Sequence, residues 1–253
     1  MNPYVRNLNR LEFVITRACT GKCKHCSEGE CADKGVHMDP QCAAGVVQTV
    51  AGMYDITSVM TFGGEPLLFP ETVCAVHAAA REVGIPRRQL ITNGYFSWDE
   101  DRIGAVAQSL AAVGVNEVLL SVDAFHQESI PLPPVRCFAD ALCRLHVPLR
   151  VHPAWLVDRS HDNPYNRRTR EILAEFQTMG ISVSEGNVIF PAGNALKYLG
   201  EYFDHGEYVN PYKEDPRNIK AISVDPDGGV LGGNILQKNI LKILEQYAPG
   251  RDS

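Results

Sequence analysis

Three closely spaced cysteines are the strongest indication of chemistry in this 253-residue chain. They follow an apolar run, residues 11–15, and lie in the string C-T-G-K-C-K-H-C, which spaces them as C-x3-C-x2-C. Cysteine thiolates hold iron–sulfur clusters, and three of them occupy three corners of a [4Fe–4S] cube. One iron then stays open for a reaction, and Gly21 lets the loop curl around the sulfurs. The predicted ligands are Cys19, Cys23 and Cys26.

Zinc and disulfide bonds are the alternatives for these cysteines. The three thiolates with His25 or His37 would make a closed tetrahedral zinc site. His25 is adjacent to Cys26, however, so both side chains would strain to reach one ion. The eight cysteines could instead pair as disulfides. The N-terminus lacks an apolar signal segment and the chain is long enough for a core, which favours reduced thiols in the cytoplasm.

The composition excludes several classes of partner. Hydrophobic residues make up 45% of the chain, as in ordinary globular proteins, and the formal charge is −6. A general nucleic-acid binder would normally have a basic face. No apolar run is long enough to span a bilayer. We therefore expect a cytoplasmic protein that binds neither nucleic acid nor membrane.

Apolar strands alternate with amphipathic helices over about the first 200 residues, which predicts a parallel sheet with right-handed crossovers. A complete eightfold barrel takes about 250 residues. Six βα units therefore predict a partial, open (β/α)6 barrel of the TIM type in the α/β class. Caps, prolines and glycines predict helices over 40–51, 70–83, 99–113, 134–146 and 163–179. The predicted strands are Glu12–Thr16, Ser58–Phe62, Gln89–Thr92, Glu117–Val122, Leu149–Leu156 and Ser182–Phe190.

The chain changes character after residue 195, and we place a domain boundary between 1–195 and 196–253. Tyr198–Lys220 is polar and rich in tyrosine. We predict that it covers substrate at the open side of the barrel, with an exposed linker as the alternative. Ala221–Leu231 is predicted to form a hairpin around D-P-D-G-G, and Ile235–Tyr247 a final helix.

Several predicted strands end in polar or glycine-rich groups, at the sheet edge where α/β proteins form their sites. These groups are G-G-E-P at 63–66, T-N-G at 92–94, S-V-D at 121–123 and P-A-G-N at 191–194. With the cysteine triad and in this order, they resemble the radical S-adenosylmethionine (SAM) superfamily over residues 11–194. The resemblance implies a partial TIM-type barrel in which SAM binds the open iron. Reductive cleavage of SAM would then give a 5′-deoxyadenosyl radical that abstracts hydrogen from a substrate.

The resemblance also implies residues that bind the methionine end of SAM. Gly63 and Gly64 lack β-carbons and would let the backbone approach the cofactor. Glu65 would accept hydrogen bonds from the SAM ammonium group, and Pro66 would fix the turn. Asn93 is either a cofactor contact or part of an ordinary Asn-Gly turn.

Five more residues are candidates for the nucleoside end and the carboxylate of SAM. Ser121 and Asp123 would hydrogen-bond the ribose hydroxyls, or else cap the following segment. His25 would pack against the nucleoside, or lie exposed in its loop. Strand alternation turns Arg150 toward the barrel interior, where it binds the SAM carboxylate or forms a buried ion pair. Ile189 would pack against adenine, or belong to the core.

Basic residues crowd the cysteine loop. Arg17, Lys22 and Lys24 could offset the charge of the cluster and dock an acidic flavodoxin or ferredoxin-type electron donor; a solvated loop is the alternative. Related enzymes often carry C-terminal cysteines for further clusters in SPASM or twitch extensions. Here Gly232 and Gly233 stand where such a cysteine is expected, so we predict a single cluster.

The remaining cysteines are not predicted to bind metal. Cys31 lies just after the triad, and no pattern assigns it as a ligand. The other four fall in predicted helices and are expected to be buried small hydrophobes. They are Cys42, Cys74, Cys137 and Cys143.

These patterns together predict an oxygen-sensitive, cytoplasmic radical SAM enzyme with one [4Fe–4S] cluster. The preferred substrate is a peptide side chain, with a small metabolite such as a nucleotide or sugar as the alternative. A non-catalytic iron–sulfur or zinc binding module is the alternative from a different class. The polar groups at the strand ends favour the enzyme, because a module that only holds metal does not need them.

Overall fold

A computed structural model describes residues 2–29, 35–203, 210 and 213–250. Helices in these residues are α1 (Pro40–Ala51), α2 (Pro70–Glu82), α3 (Glu100–Val113), α4 (Ala124–Gln127), α5 (Leu132–Arg144), α6 (Pro164–Thr178), α7 (Asn194–Leu199) and α8 (Ile240–Gln246). The strands are β1 (Arg10–Val14), β2 (Ser58–Phe62), β3 (Arg87–Thr92), β4 (Glu117–Leu120), β5 (Leu149–Val151), β6 (Ala154–Trp155), β7 (Ser182–Val183), β8 (Asn187–Val188), β9 (Ala221–Val224), β10 (Gly229–Val230) and β11 (Gly233–Asn234).

Seven of these strands form one parallel sheet in the order β7-β5-β4-β3-β2-β1-β9. This confirms the predicted α/β class and the partial TIM-type barrel. The predicted helix starts follow their caps: Asp39 accepts a hydrogen bond from the backbone N–H of Cys42, and Asp99 caps α3 in the same way. Helix α5 begins two residues before its predicted start at Pro134, because the prolines of its first turn lack N–H groups that would need partners.

The last two predicted barrel strands are each divided in two. Leu149–Leu156 forms β5 and β6, and Ser182–Phe190 forms β7 and β8, with β6 and β8 paired in a separate short ladder. Pro153 has no N–H to donate at the first break. Gly186 adopts a positive φ of 75° at the second. The main ladder therefore stops at these two residues.

The C-terminal region differs from the predicted hairpin and helix. Strand β9 pairs in parallel with β1, and its buried Ile222 and Val224 cover an otherwise exposed strand edge. The D-P-D-G-G turn is present, but the antiparallel pair is β10 with β11. The final helix begins at Ile240, where Asn239 caps the backbone N–H of Leu241. The domain boundary after residue 195 stays a prediction.

The two faces of the sheet have different characters. The face toward the helices is apolar and fully buried at Leu11, Phe13, Val59, Leu90 and Val118. Strand register places two rows on the opposite, inner face. The middle row comprises Val14, Phe62, Ile91, Leu119 and Arg150. The lower row, nearer the strand N-termini, comprises Glu12, Met60, Gln89 and Glu117.

The expectation that the helical cysteines are buried is wrong. Cys42 and Cys143 are exposed, and Cys74 and Cys137 are partly buried. Cys42 lies in the first turn of α1 and Cys143 in the last turn of α5, where the helix ends extend beyond the core. In the described part of the chain, none of the helices is both long enough and apolar enough to cross a membrane.

Candidate metal and cofactor site

The three predicted cluster cysteines lie together in the loop between β1 and α1. Cys23 is buried, Cys19 and Cys26 are half-buried, and the backbone N–H of Cys26 donates to the carbonyl of Cys23 over 3.2 Å. Gly21 is needed here for space, since a β-carbon would lie 3.2 Å from the Cys23 Sγ and 3.0 Å from Ile130. Its role is therefore to let the loop pack closely beside Cys23.

The G-G-E-P segment after β2 is the first anchor of this loop. The backbone N–H of Gly64 donates to the carbonyl of Thr16, and that of Glu65 to the carbonyl of Ala18, each over 2.8 Å. A β-carbon on Gly64 would lie 2.6 Å from the carbonyl carbon of Ala18, and one on Gly63 would lie 2.5 Å from the Thr16 oxygen. The close approach that both glycines permit is thus to the cysteine loop, and their contact with SAM stays a prediction.

The P-A-G-N segment provides a second anchor that the sequence did not reveal. Asn194 donates from its backbone N–H to the Cys26 carbonyl (2.9 Å) and from Nδ2 to the Cys23 carbonyl (3.1 Å). A β-carbon on Gly193, which has φ 51°, would lie 2.7 Å from the same Cys26 oxygen. The motif was visible at the end of a strand, but nothing local indicated which loop it would hold.

The T-N-G segment after β3 forms the third anchor. Asn93 is buried, and its Nδ2 lies 3.6 Å from the Cys19 Sγ and 3.2 Å from the Thr20 hydroxyl. The Thr20 hydroxyl donates to the carbonyl of Tyr95 over 2.7 Å. Asn93 is therefore adjacent to a predicted cluster ligand, as well as belonging to the turn.

Glu65 is a fully buried carboxylate between the first and third anchors. Its Oε1 accepts from the N–H of Leu67 (2.9 Å) and the hydroxyl of Thr92 (2.7 Å), and its Oε2 accepts from the N–H of Asn93 (2.8 Å). Burial raises the pKa of Glu65 to about 7, against the opposing effect of these hydrogen bonds. A carboxylate offers about four acceptor positions, so one on Oε2 remains for the predicted ammonium contact.

Asp123 is also fully buried, and its hydrogen bonds favour the capping alternative. Oδ1 accepts from the N–H groups of Phe125 and His126, each over 3.0 Å. Oδ2 accepts from Nδ1 of His126 (2.8 Å) and the N–H of Ala154 (3.0 Å). Burial alone would raise the pKa of Asp123, but the interactions with His126 hold it well below its usual range. Ser121, by contrast, is half-buried, and its hydroxyl has no hydrogen-bond partner among the described residues.

His25 is not the exposed loop histidine that was one alternative. The residue is half-buried, with its ring centroid 5.1 Å from that of Phe125 and 4.7 Å from that of His126. Burial lowers the pKa of His25 to about 4, so the ring is neutral at physiological pH. His126 was missed by the sequence analysis, although its spacing of three residues from Asp123 at a strand end was visible.

Ile189 lies in a setting that matches its structural alternative, whereas Arg150 forms an ion pair that is not buried. Arg150 is on the inner face as predicted, where it pairs with Glu117, but its side chain is 45% exposed rather than buried. Ile189 is buried in a small apolar cluster with Phe125 and Leu156. Their contacts with SAM stay predictions.

The charges around the cysteine loop are largely balanced by acidic neighbours. Lys24 Nζ lies 3.0 Å from Glu128, and Arg17 lies 3.6 Å from Asp225. Lys22 is exposed. An electron-donor surface at this loop therefore stays a prediction.

Two other predictions concern positions away from the loop. One is the prediction of a single cluster, which rests on Gly232 and Gly233. Gly233 packs closely against Ile243, since a β-carbon at Gly233 would lie 3.0 Å from that side chain. The single cluster stays a prediction. Cys31 and about a third of the predicted cover, residues 204–209 and 211–212, lie outside the described residues.

The cysteine environment fits a positively charged metal group. Burial raises the pKa of Cys23 well above its usual range, and so does the proximity of Asp123, Cys19 and Cys26. Burial likewise raises the pKa of Cys26. Thiols in such an environment lose their protons when a cation compensates the charge, as iron does in a cluster.

Comparisons with known proteins agree with this arrangement. GTP 3',8-cyclase from Moorella thermoacetica is 29% identical over 130 residues, covering 50% of this chain and 38% of that protein. A probable GTP 3',8-cyclase from Saccharolobus islandicus is 25% identical over 219 residues, covering 81% of this chain and 67% of that protein. The chain thus spans well under half the length of the first of these relatives and two thirds of the second.

Solved structures share the fold. Native anSMEcpe with bound AdoMet has a TM-score of 0.62 at 16% identity, over 94% of this chain and 80% of that one. Streptococcus suis SuiB bound to S-adenosylmethionine has a TM-score of 0.60 at 14% identity, over 96% and 66%. The family model of the radical SAM superfamily matches residues 13–191. This chain belongs to the radical SAM superfamily.

Proposed function

We propose that this protein is a radical SAM enzyme that acts on a nucleotide or a similar small polar metabolite, with Cys19, Cys23 and Cys26 as the cluster ligands. As a member of the superfamily it is an enzyme whose cofactors are a [4Fe–4S] cluster and SAM. It is therefore not the non-catalytic metal module considered from the sequence. The observation that carries the substrate proposal is an unpaired, buried hydrogen-bond acceptor, Oε1 of Gln89, on the inner face of the sheet.

The cysteine loop and the strand ends provide the cofactor part of the proposed site. When bound, the cluster supplies an electron to SAM, which yields a 5′-deoxyadenosyl radical able to take a hydrogen atom from substrate. The three anchors hold the thiols at the C-terminal edge of the sheet. The apolar middle row, with Val14, Phe62 and Leu119, would keep water away from the reacting atoms below that edge.

The lower row supports a substrate that donates hydrogen bonds. Gln89 is 5% exposed and gives its amide N–H to Glu117 over 2.6 Å. Its Oε1 is buried with no partner among the described residues, which is unfavourable unless a ligand donates to it. The neighbouring carboxylates of Glu12 and Glu117 already pair with arginines, so Gln89 Oε1 is the acceptor left for an amino or imino group of a purine base.

Arginines beside this row support a phosphate-bearing substrate. A cleft of about 470 Å³ opens at the N-terminal edge of β3, β4 and β5, opposite the cysteines, and Arg87, Glu117 and Arg150 line it. Guanidinium groups match phosphate geometry. A substrate on the inner face would place its base against Gln89 and its phosphates toward these arginines, where phosphate would replace Glu117 as their partner.

The relatives in sequence favour the nucleotide over the peptide that the sequence analysis preferred. The proteins that match at 25–29% identity are GTP 3',8-cyclases. The similar structures that hold a peptide, such as SuiB bound to its precursor peptide, are 12–16% identical and share the fold. The electron donor needed by the enzyme is proposed to be a flavodoxin or ferredoxin-type protein.

An anaerobic substrate screen tests the proposal. Reconstituted protein, SAM and a reductant are incubated with each ribonucleoside triphosphate or with a mixed peptide library, and 5′-deoxyadenosine is measured. We expect a nucleotide to accelerate its formation. Gln89→Met should then raise the KM for that nucleotide about tenfold, as expected for a lost buried hydrogen bond. Gln48→Met on the exposed face of α1 is the matched control.

The outcomes separate the enzyme class from the substrate class. Acceleration by peptide alone would refute the nucleotide proposal and leave the radical SAM assignment intact. Equal KM values for the Gln89 variant and the parent would remove Gln89 from the substrate site. Absence of any SAM cleavage by protein with a full cluster would contradict the proposed reaction itself.

A further inference from the structure

A second set of metal ligands overlaps the cluster site. The ligand atoms of Cys23, His25 and His126 all lie within 4.8 Å of one another. In the described part of the chain, this is the one such group of three histidine, cysteine or acidic residues. Two of its members are outside the cysteine triad, so it is chemically different from the cluster ligands.

His25 has the strongest reason to bind a ligand at this place. Its ring lies beside those of Phe125 and His126, and its Nδ1 is buried without a hydrogen-bond partner. Buried ring nitrogens are normally satisfied, so an unpaired one beside a thiol indicates a missing partner.

His126 is oriented as a metal-binding histidine usually is. Its Nδ1 lies 2.8 Å from Oδ2 of the fully buried Asp123. Because this carboxylate is an acceptor, the proton of a neutral His126 would lie on Nδ1, which leaves Nε2 as the atom that can bind metal. Carboxylate–histidine–metal arrangements fix the tautomer and raise the basicity of the ligand in this way.

We propose that Cys23, His25 and His126 bind one Zn²⁺ ion when the cluster is absent. Zinc favours nitrogen and sulfur ligands at about 2.0–2.3 Å, which puts tetrahedral ligand atoms about 3.4–3.6 Å apart. The three side chains would therefore close by about 1 Å. A water molecule would complete the tetrahedron, because both oxygens of Asp123 are engaged in hydrogen bonds.

The proposed zinc site and the cluster exclude each other. Both need the thiolate of Cys23, and the two histidines are not cluster ligands. Zinc bound to the cluster-free chain would therefore block cluster assembly until it is removed. This inference concerns a state that the enzyme passes through before it is active, and it does not depend on the substrate class.

Metal titrations of ligand variants test the proposal. Cluster-free full-length protein with reduced thiols is titrated anaerobically with Zn²⁺ against a chromophoric chelator, and with Co²⁺ to detect tetrahedral thiolate coordination. We expect one tight equivalent in the parent protein. His126→Phe and Cys23→Ser should weaken binding more than 100-fold, since even outer-sphere partners contribute 10–100-fold. Cys19→Ser and Cys26→Ser should keep the zinc site.

Cluster reconstitution should give the opposite pattern of losses in the same variants. His126→Phe should reconstitute to the iron content of the parent, whereas Cys19→Ser and Cys26→Ser should not. If His126→Phe is misfolded by circular dichroism, His25→Phe replaces it, because phenylalanine retains the ring packing against Phe125. Zinc binding that needs Cys19 and Cys26 but not the histidines would overturn the proposal, as would no zinc binding by the parent.

Discussion

Replacing Asp123 with asparagine distinguishes a structural carboxylate from a ribose ligand. Asp123 accepts four hydrogen bonds within the protein, two at each oxygen. Asparagine has nearly the same shape but only one acceptor oxygen. If the four bonds are the main role of the residue, the variant should lose stability before it loses affinity for SAM.

The magnitude follows from the donors that surround the side chain. The asparagine oxygen can still accept hydrogen bonds from the N–H groups of Phe125 and His126. Its amide nitrogen replaces Oδ2 and faces the N–H of Ala154, which is left unpaired. His126 can shift its proton to Nε2 and accept from the amide. One buried unpaired donor costs about 1–3 kcal/mol, and weakening of charge-assisted bonds adds to this, so we expect about 2–4 kcal/mol.

Urea unfolding of the cluster-free protein measures this loss. The low pKa of Asp123 means that its carboxylate stabilises the fold above the unfolded pKa of about 3.9, and that this contribution is lost as pH falls through the folded pKa. The difference between the parent and the variant should therefore shrink below about pH 4. Ser121→Ala, which removes a hydroxyl without a partner in the described structure, should change stability by less than about 0.5 kcal/mol.

One result would refute this reasoning. If Asp123→Asn unfolds with the parent free energy but the cluster-loaded variant binds SAM tenfold more weakly by calorimetry, the carboxylate is a cofactor ligand. The four internal hydrogen bonds would then contribute little to the fold.

Three further predictions concern the cluster loop. Alanine at any one of the three cluster cysteines should abolish the cluster, whereas the exposed Cys143→Ala should keep about 4 irons per chain by iron and sulfide analysis; about 8 would indicate a second cluster. Gly64→Ala should impair cluster reconstitution, because its β-carbon would lie 2.6 Å from the Ala18 carbonyl carbon, while Gly45→Ala in open space should not. The pKa of Glu65, about 7, lies above its unfolded value. The contribution of protonated Glu65 to the free energy of unfolding of the cluster-free protein should be fully present below about pH 4.3 and lost as pH rises through 7. Urea midpoints between pH 4 and pH 8 check this, and Glu65→Gln should flatten the curve.

Local sequence signals predicted the fold well wherever the structure is itself local. Asp39 before Pro40 and Gly114 after α3 mark helix ends because caps and left-handed glycines act within one turn. The parallel pairing of β9 with β1 joins residues more than 200 positions apart, and no periodicity encodes it. The turn at D-P-D-G-G was visible, but the partner of the strand before it was not.

In the candidate site, too, the sequence predicts the features that are local and misses those that depend on the tertiary fold. Cysteine spacing is a local property, so the triad could be identified directly. The sequence predicts a close approach of Gly63 and Gly64 to SAM, which stays a prediction, but it does not reveal their close packing on Thr16 and Ala18, because that loop is distant in the chain. Asn194 is 168 positions beyond Cys26, and its two bonds to the cysteine loop exist only in the folded sheet. The pairing of His126 with Asp123 can be predicted from their spacing of three residues, whereas the proximity of His126 to Cys23 depends on the tertiary fold.

The cysteine loop depends on the sheet for its conformation. Its carbonyl groups at Ala18, Cys23 and Cys26 accept hydrogen bonds from Glu65 and Asn194, which follow different strands. Those donors meet only where the carboxyl ends of parallel strands lie at one edge. The backbone of the loop is therefore held in place by the folded sheet, without metal. Unlike a zinc finger, the chain should keep its sheet when metal is removed, so cluster loading and folding are separable steps.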